Sequence, residues 1–250
     1  MKQELEKEIA KIQDRGAAYV DARYYPYEES NTLYMWNGNL KELNNSWQSG
    51  LGVRVLYKGA WGFAASSDLG RVGNIFEKAL DNARVAAERV TFPVRLAEKD
   101  ALQASFNSPN AIDPFSIGLD EKVAFLQKMD TALAQEGVAQ RSAWMQFMKK
   151  QIVFLDSEGS EIEKNIIEVF PGLEVSGLDK DGGMQSRKWL PPRQGTTRGW
   201  ETINEAEFLE NAQRILRELS ELQQAEDCPK DQRSVILLPG IMYLQTHETI

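Results

Sequence analysis

The sequence predicts an α+β fold in which antiparallel or mixed sheet meanders pack against helices. Amphipathic helical segments alternate with two strand-rich stretches, one over about 19–64 and one over about 139–189. Short turns such as Asn37-Gly38 separate the strands, and turns of this length join antiparallel neighbours rather than parallel βαβ units. The composition, with 42% hydrophobic and 26% charged residues among 250, is that of a globular protein with a sizeable core.

The first half of the chain is predicted to begin with a helix and to continue as strands. Leu5, Ile9 and Ile12 recur at helical spacing, and Arg15-Gly16 ends this helix. An alanine-rich apolar stripe between about residues 71 and 89 predicts a second helix that packs closely on the sheet. Between these helices, alternation and turn signals predict strands at 19–25, 32–36, 40–47, 52–57 and 60–64.

The second half has a similar layout but no residue-level repeat. Residues 91–117 contain three prolines and little periodicity, which predicts a long connection. A helix is predicted over 120–135. Strands at 151–155 and 160–170 are predicted on either side of the turn Asp156-Ser157-Glu158-Gly159.

The last elements are a long helix, a strand and an incomplete helix. Thr202 and Glu205 have capping-box spacing, which predicts that the long helix starts at Thr202. The apolar run 234–238 predicts a short buried strand, and 241–250 is typical of the opening turns of another helix. The chain thus ends inside a predicted element, which indicates a piece of a longer protein.

The charge balance and cysteine content exclude several classes of protein. Lys plus Arg is 29 and Asp plus Glu is 37, so the net charge is −8, which argues against non-specific nucleic-acid binding. No apolar run approaches the roughly 20 residues of a membrane helix. The charged N-terminus is unlike a secretory signal, so the predicted compartment is the cytoplasm. A single cysteine, Cys228, excludes an intramolecular disulfide.

The candidate metal-binding and catalytic residues are the pair His247-Glu248, which contains the single histidine of the sequence. A His followed by Glu opens the helix of many zinc peptidases, in which the His binds the metal and the Glu activates water. A lone His is also commonly a solvated surface residue, so the dipeptide leaves both interpretations open. Ser67, Ser157 and Cys228 are surrounded by no nucleophile motif.

Other notable residues have structural explanations. Glu28-Glu29 and the pair Asp179/Asp181 lie in predicted turns, where solvated charge is normal. The aromatic side chains predict a core or a ligand groove rather than a base-stacking platform; they are Trp36, Trp47, Trp61 and Phe63.

Two glycine-rich strands carry a resemblance to a known family. Gly50-Leu51-Gly52-Val53-Arg54-Val55-Leu56, followed by Gly59-Ala60-Trp61-Gly62-Phe63-Ala64-Ala65-Ser66, resembles a strand pair of the TldD/PmbA family, also called modulator of DNA gyrase. The strand with Asp21-Ala22-Arg23 and the turns at Asn37-Gly38 and 156–159 are similar too, in the family's order.

The resemblance implies roles for the last residues. TldD-type members carry an HExxxH metal helix after the N-terminal domain, and His247 and Glu248 match its beginning. His247 is then a zinc ligand and Glu248 the catalytic base. The second His would fall at the second position beyond Ile250, and the family's Cys ligand much later. Cys228 precedes the motif and does not match that Cys.

The resemblance also implies a function and a domain organisation. It implies a TldD/PmbA-like N-terminal domain over 1–230 and the start of a metallopeptidase domain over 231–250. The expected activity is zinc-dependent cleavage of unfolded peptides, by a homodimer or a heterodimer with a PmbA-type subunit, with this piece inactive alone. The alternative is a non-catalytic peptide-binding or dimerisation module of the PmbA type. Neither contacts nucleic acid or membrane directly.

Overall fold

The strands of both halves join into one sheet in a computed structural model, which describes residues 1–191, 195–226, 230–232 and 234–249. The helices are α1 (Lys2–Asp14), α2 (Val72–Ala87), α3 (Leu119–Ala132), α4 (Glu205–Gln224) and α5 (Pro239–Glu248). The strands are β1 (Tyr19–Trp36), β2 (Asn39–Tyr57), β3 (Ala60–Ser66), β4 (Gln103–Asn107), β5 (Gln140–Asp156), β6 (Glu161–Leu178) and β7 (Met184–Trp189).

The seven strands of the described residues have the order β3-β2-β1-β5-β6-β4, and β7 also pairs with β6. Neighbouring strands are antiparallel except β4, which runs parallel to β6. The predicted α+β class with mixed sheet meanders is therefore confirmed. The connection predicted over 91–117 was wrong in one respect, because it contains the short edge strand β4.

The first strand is longer than the sequence predicts. Strands were expected at 19–25 and 32–36, but β1 runs through both and continues across Pro26. Tyr25 pairs with Gly50 and Glu28 with Gln48, so β1 carries one extra residue in a bulge at this point. Proline has no backbone N–H to donate to the neighbouring strand, and a bulge accommodates it, so the strand continues past Pro26.

The four helices α1 to α4 lie on one face of the sheet. Strand β5 pairs with β6 without a register shift, so its odd-numbered residues share a face. Phe147 packs in the core beneath α3 and α4, and Leu155 in the core beneath α1 and α2. Both helix pairs therefore cover this face, and the opposite face, called here the open face, carries side chains such as Trp144 and Phe154.

Two predictions for the C-terminal quarter were wrong. The helix α4 begins at Glu205, because Asn204 is its N-cap and accepts hydrogen bonds from the N–H groups of Ala206 and Glu207. Thr202 instead donates its hydroxyl to the carbonyl of Gly199, 2.8 Å away. Residues 234–238 form neither a strand nor a buried segment, since all five are exposed.

The predicted helix at the end is confirmed as α5 for the residues that are described. Every described residue from 230 to 249 is exposed, so α5 buries none of its side chains. No helix in the described part of the chain is long and apolar enough to cross a membrane. The domain boundary expected near residue 230 stays a prediction.

Glu201 carries a testable contribution to stability. Its carboxylate accepts the N–H groups of Ala111, Ile112 and Gly199 at 2.9 to 3.0 Å. Partial burial acts to raise its pKa, but these hydrogen bonds outweigh burial and lower the pKa from 4.5 to about 2. Because the folded-state pKa is depressed, the stabilisation is present above pH 4.5 and is lost as the pH falls toward 2.

We therefore expect Glu201→Gln to destabilise the protein by about 1 kcal/mol at pH 7, after allowance for the solvent exposure of Glu201. The difference from the wild type should shrink between pH 4.5 and pH 2 in urea unfolding curves. Glu221→Gln, an exposed glutamate of α4, should show no such pH-dependent difference. An equal deficit at pH 7 and pH 2.5 for Glu201→Gln would contradict the assignment.

Candidate functional site

The residues His247 and Glu248 lie in the last turn of α5. Both are exposed, and Pro239 occupies the first turn of the helix, where its missing N–H is tolerated. Adjacent helical residues point about 100° apart, so these two side chains diverge from the helix axis.

The described residues do not complete a metal site. Among them, no group of three His, Cys, Asp or Glu side chains stands close enough to hold a metal ion. Cys228 lies outside the described residues. One imidazole and one adjacent carboxylate are a partial donor set, because structural and catalytic zinc sites use at least three protein ligands. The residues present therefore do not fit a zinc ion by themselves, and the role of His247 and Glu248 stays a prediction.

A free sheet edge is the second feature of the site. Strand β3 pairs with β2 over residues 51–57, and the part of β2 from Asn39 to Gly50 has no further strand beside it among the described residues. Leu40, Leu43 and Trp47 are 39%, 44% and 65% exposed along this edge. An edge of this kind presents unpaired backbone N–H and C=O groups and can pair with another extended chain.

The open face beside this edge carries a buried carboxylate that holds two arginines. The side chain of Asp21 is fully buried. Arg54 donates from Nε and Nη2 to Oδ2 of Asp21 at 2.9 and 2.6 Å, and Arg23 donates from Nη1 to Oδ1 at 2.7 Å. The Arg54 guanidinium lies 5.0 Å from the ring centroid of Trp61. Charge pairing and stacking thus fix both guanidinium groups on the sheet surface.

A second buried carboxylate, Asp156, lies at the β5–β6 turn. It accepts a hydrogen bond from Lys99 at 2.6 Å and from the backbone N–H of Ser160 at 2.8 Å. Burial acts to raise the pKa of Asp156, but these donors outweigh burial and lower it. Burial, together with the charges of Asp21 and Asp156, raises the pKa of Tyr19. Tyr19 therefore stays a neutral structural hydroxyl, and this cluster anchors the segment that carries Lys99.

The structure separates the residues that the sequence singled out. His247 and Glu248 share α5, whereas the glycine-rich strands form the part of the sheet that holds Arg54 and Trp61. Trp47 is on the free edge rather than in the core, which leaves the predicted groove role open to it. The cluster of Asp21, Arg23 and Arg54 was not predicted from the sequence. The only indication was the alternating pattern of the two strands that contain these residues.

The fold is shared with solved structures of other proteins. The chain has the fold of a Thermotoga maritima protein described as a modulator of DNA gyrase, with a TM-score of 0.68 and 18% identity over 92% of this chain and 50% of that one. It also has the fold of TldE from Thermococcus kodakarensis, with a TM-score of 0.55 and 12% identity over 86% of this chain and 47% of that one.

The sequence comparisons find one family model and two curated relatives that are similar to this chain. Residues 24–87 match the model described as PmbA/TldA metallopeptidase domain 1. A metalloprotease of Methanocaldococcus jannaschii is 28% identical over 98% of this chain and 53% of its own length, and one of Methanothermobacter thermautotrophicus is 26% identical over 96% and 50%. The chain is thus similar to proteins of the PmbA/TldD family, and it spans about half the length of these curated relatives.

Proposed function

We propose that the full-length protein is a cytoplasmic zinc metallopeptidase that cleaves unfolded peptides. This chain supplies the sheet on which the peptide lies and the first residues of the metal site. The proposal is supported by relatives that are named metalloproteases and by His247-Glu248 on α5. His247 serves as one zinc ligand and Glu248 as the proton acceptor. The remaining ligands come from residues outside this sequence, so the chain alone is inactive.

The proposed peptide recognition depends on the free edge of β2. An extended peptide can add to such an edge by main-chain hydrogen bonds, which depend little on the peptide's sequence. Leu43 and Trp47 lie on the same face of β2, because they pair with Leu33 and Glu29 of β1 without a register shift between them. Their exposed apolar surface provides contacts for alternate side chains of the bound strand. Unfolded substrates are selected because only an extended backbone can pair in this way.

The experiment replaces the apolar edge residues in the full-length protein. The double substitution Leu43→Ser with Trp47→Ser should raise KM for an unfolded, fluorescently labelled casein about tenfold, since it removes apolar contact area. The kcat should change little, because neither residue lies on α5. Asn44→Ser is the matched control on the same exposed edge. An unchanged KM in the double variant would place peptide binding elsewhere.

A non-catalytic peptide-binding or dimerisation module of the PmbA type is the second candidate. The free edge of β2 supports it, because such an edge can pair with an extended chain without any catalysis. In that case the full-length protein would bind unfolded casein through the edge of β2 without cleaving it. In the first candidate, the active assembly is a homodimer or a heterodimer with a PmbA-type subunit, and cleavage requires that assembly.

A further inference from the structure

Arg23 has donors that the protein does not use. Its Nη1 donates to Asp21, while Nε and Nη2 find no acceptor among the described residues. The guanidinium lies 5.1 Å from the ring centroid of Phe154, and its side chain is 40% exposed. Asp21 neutralises only one of the two arginines that it holds, so the group of Asp21, Arg23 and Arg54 carries a net charge of +1. An ordered, positive and partly unsatisfied guanidinium is suited to bind an anion.

A shallow trough of about 490 Å³ lies beside Arg23 on the open face. Tyr25 and Phe63 contribute its aromatic walls, and Gly50 and Gly52 belong to its lining. Gly52 pairs with Arg23 across β1 and β2. Because Gly50 and Gly52 have no side chains, the surface between the end of the free β2 edge and Arg23 is not obstructed by β2.

We propose that Arg23 and this trough bind a carboxylate carried by an extended peptide that lies on the free edge of β2. The peptide as ligand rests on the proposed function. The carboxylate takes the free Nε and Nη2 donors of Arg23, and the carbon atoms that carry it lie over Gly50 and Gly52. The carboxylate belongs either to the peptide's C-terminus or to an acidic side chain, since both present the same two oxygen atoms.

The test measures binding without cleavage. The full-length protein is treated with EDTA, and the affinity of fluorescein-labelled, apolar hexapeptides is measured by fluorescence anisotropy. One pair differs as free acid and C-terminal amide, and a second amidated pair differs as Glu and Gln at one internal position. The wild type should bind the carboxylate member of at least one pair about tenfold more tightly. The pair that shows the difference identifies the source of the carboxylate.

Two variants separate the charge from the shape of the site. Arg23→Gln should abolish the preference for the carboxylate, whereas Arg89→Gln, an exposed arginine after α2, should retain it. Gly52→Val should weaken binding of the preferred peptide by filling the trough. The Cβ atom at position 52 would meet only the ring of Phe63, at 3.4 Å, and Phe63 is itself exposed, so its ring can move away from the added side chain. Thermal unfolding checks that the variant is folded.

The inference is overturned if the wild type binds both members of both pairs equally, or if Arg23→Gln keeps the preference in a folded protein, as judged by its thermal unfolding. Cleavage of casein without any carboxylate preference would remove this inference and leave the proposed function standing. A carboxylate preference without cleavage would support this inference and contradict the proposed peptidase activity.

Discussion

Substitution of Glu248 with glutamine is expected to lower the rate of unfolded-peptide cleavage by the full-length protein about a hundredfold or more. Glutamine has nearly the same shape but cannot accept a proton, and general-base catalysis typically contributes factors of this size. The zinc content should stay unchanged, because we propose Glu248 as the base and not as a ligand. The two measurements are casein cleavage and metal analysis of the purified protein.

His247→Ala is the complementary variant, since it should lose zinc together with activity. Glu221→Gln is the matched control, as Glu221 is another exposed helical glutamate. It should keep both zinc and activity. Retained cleavage in Glu248→Gln would remove Glu248 from the mechanism. Wild-type cleavage that survives EDTA would contradict the metal-dependent mechanism, and a wild type that binds casein without cleaving it would leave the binding module as the better description.

The sequence predicted the elements whose signals are local. The apolar spacing of Leu5, Ile9 and Ile12 predicted α1, and all three side chains are buried. Asn37-Gly38 predicted a two-residue hairpin, and both residues have the positive φ that a type I′ turn needs. The bulge at Pro26 was missed, because the proline breaks the alternation that marks a strand while the paired neighbours β2 and β5 keep the strand continuous.

The start of α4 shows how two candidate N-cap residues compete. Thr202 and Glu205 have the spacing of a capping box, but Asn204 lies closer to the helix and is an equally good N-cap residue. The Thr202 hydroxyl is engaged with Gly199 in the preceding turn, so the helix begins later. The apolar run 234–238 has strand-like composition but has no partner strand among the described residues, and composition alone does not supply one.

The candidate site was predictable only in part. His247 and Glu248 could be proposed from the sequence because their motif is contiguous, and their role stays a prediction. Arg23 and Arg54 are 31 positions apart (54 − 23) and meet at Asp21 only through the register of β1 and β2. Register depends on the bulge and the hairpin together, so a one-residue error in either would separate these side chains.

Gly62→Ala is expected to destabilise the protein by about 3 kcal/mol, the largest effect on stability among the variants considered. A Cβ atom at this position of β3 would lie 2.2 Å from the carbonyl oxygen of Ala79 and 2.2 Å from the backbone nitrogen of Ala83. Both are backbone atoms of α2, so no side-chain rotation relieves the overlap. The helix has to move away from the sheet, which opens the core around Phe76 and Leu80.

Gly52→Ala is the matched control on the neighbouring strand. Its new Cβ atom would meet only the exposed ring of Phe63, at an ordinary contact distance of 3.4 Å, so its stability should stay within about 0.5 kcal/mol of the wild type. Urea unfolding followed by tryptophan fluorescence compares the two variants, since Trp61 lies beside Gly62 on β3. The same unfolding midpoint for both would mean that α2 does not approach β3 this closely. The alanine-rich surface of α2 would then need another explanation, because close contact with β3 is what its small side chains permit.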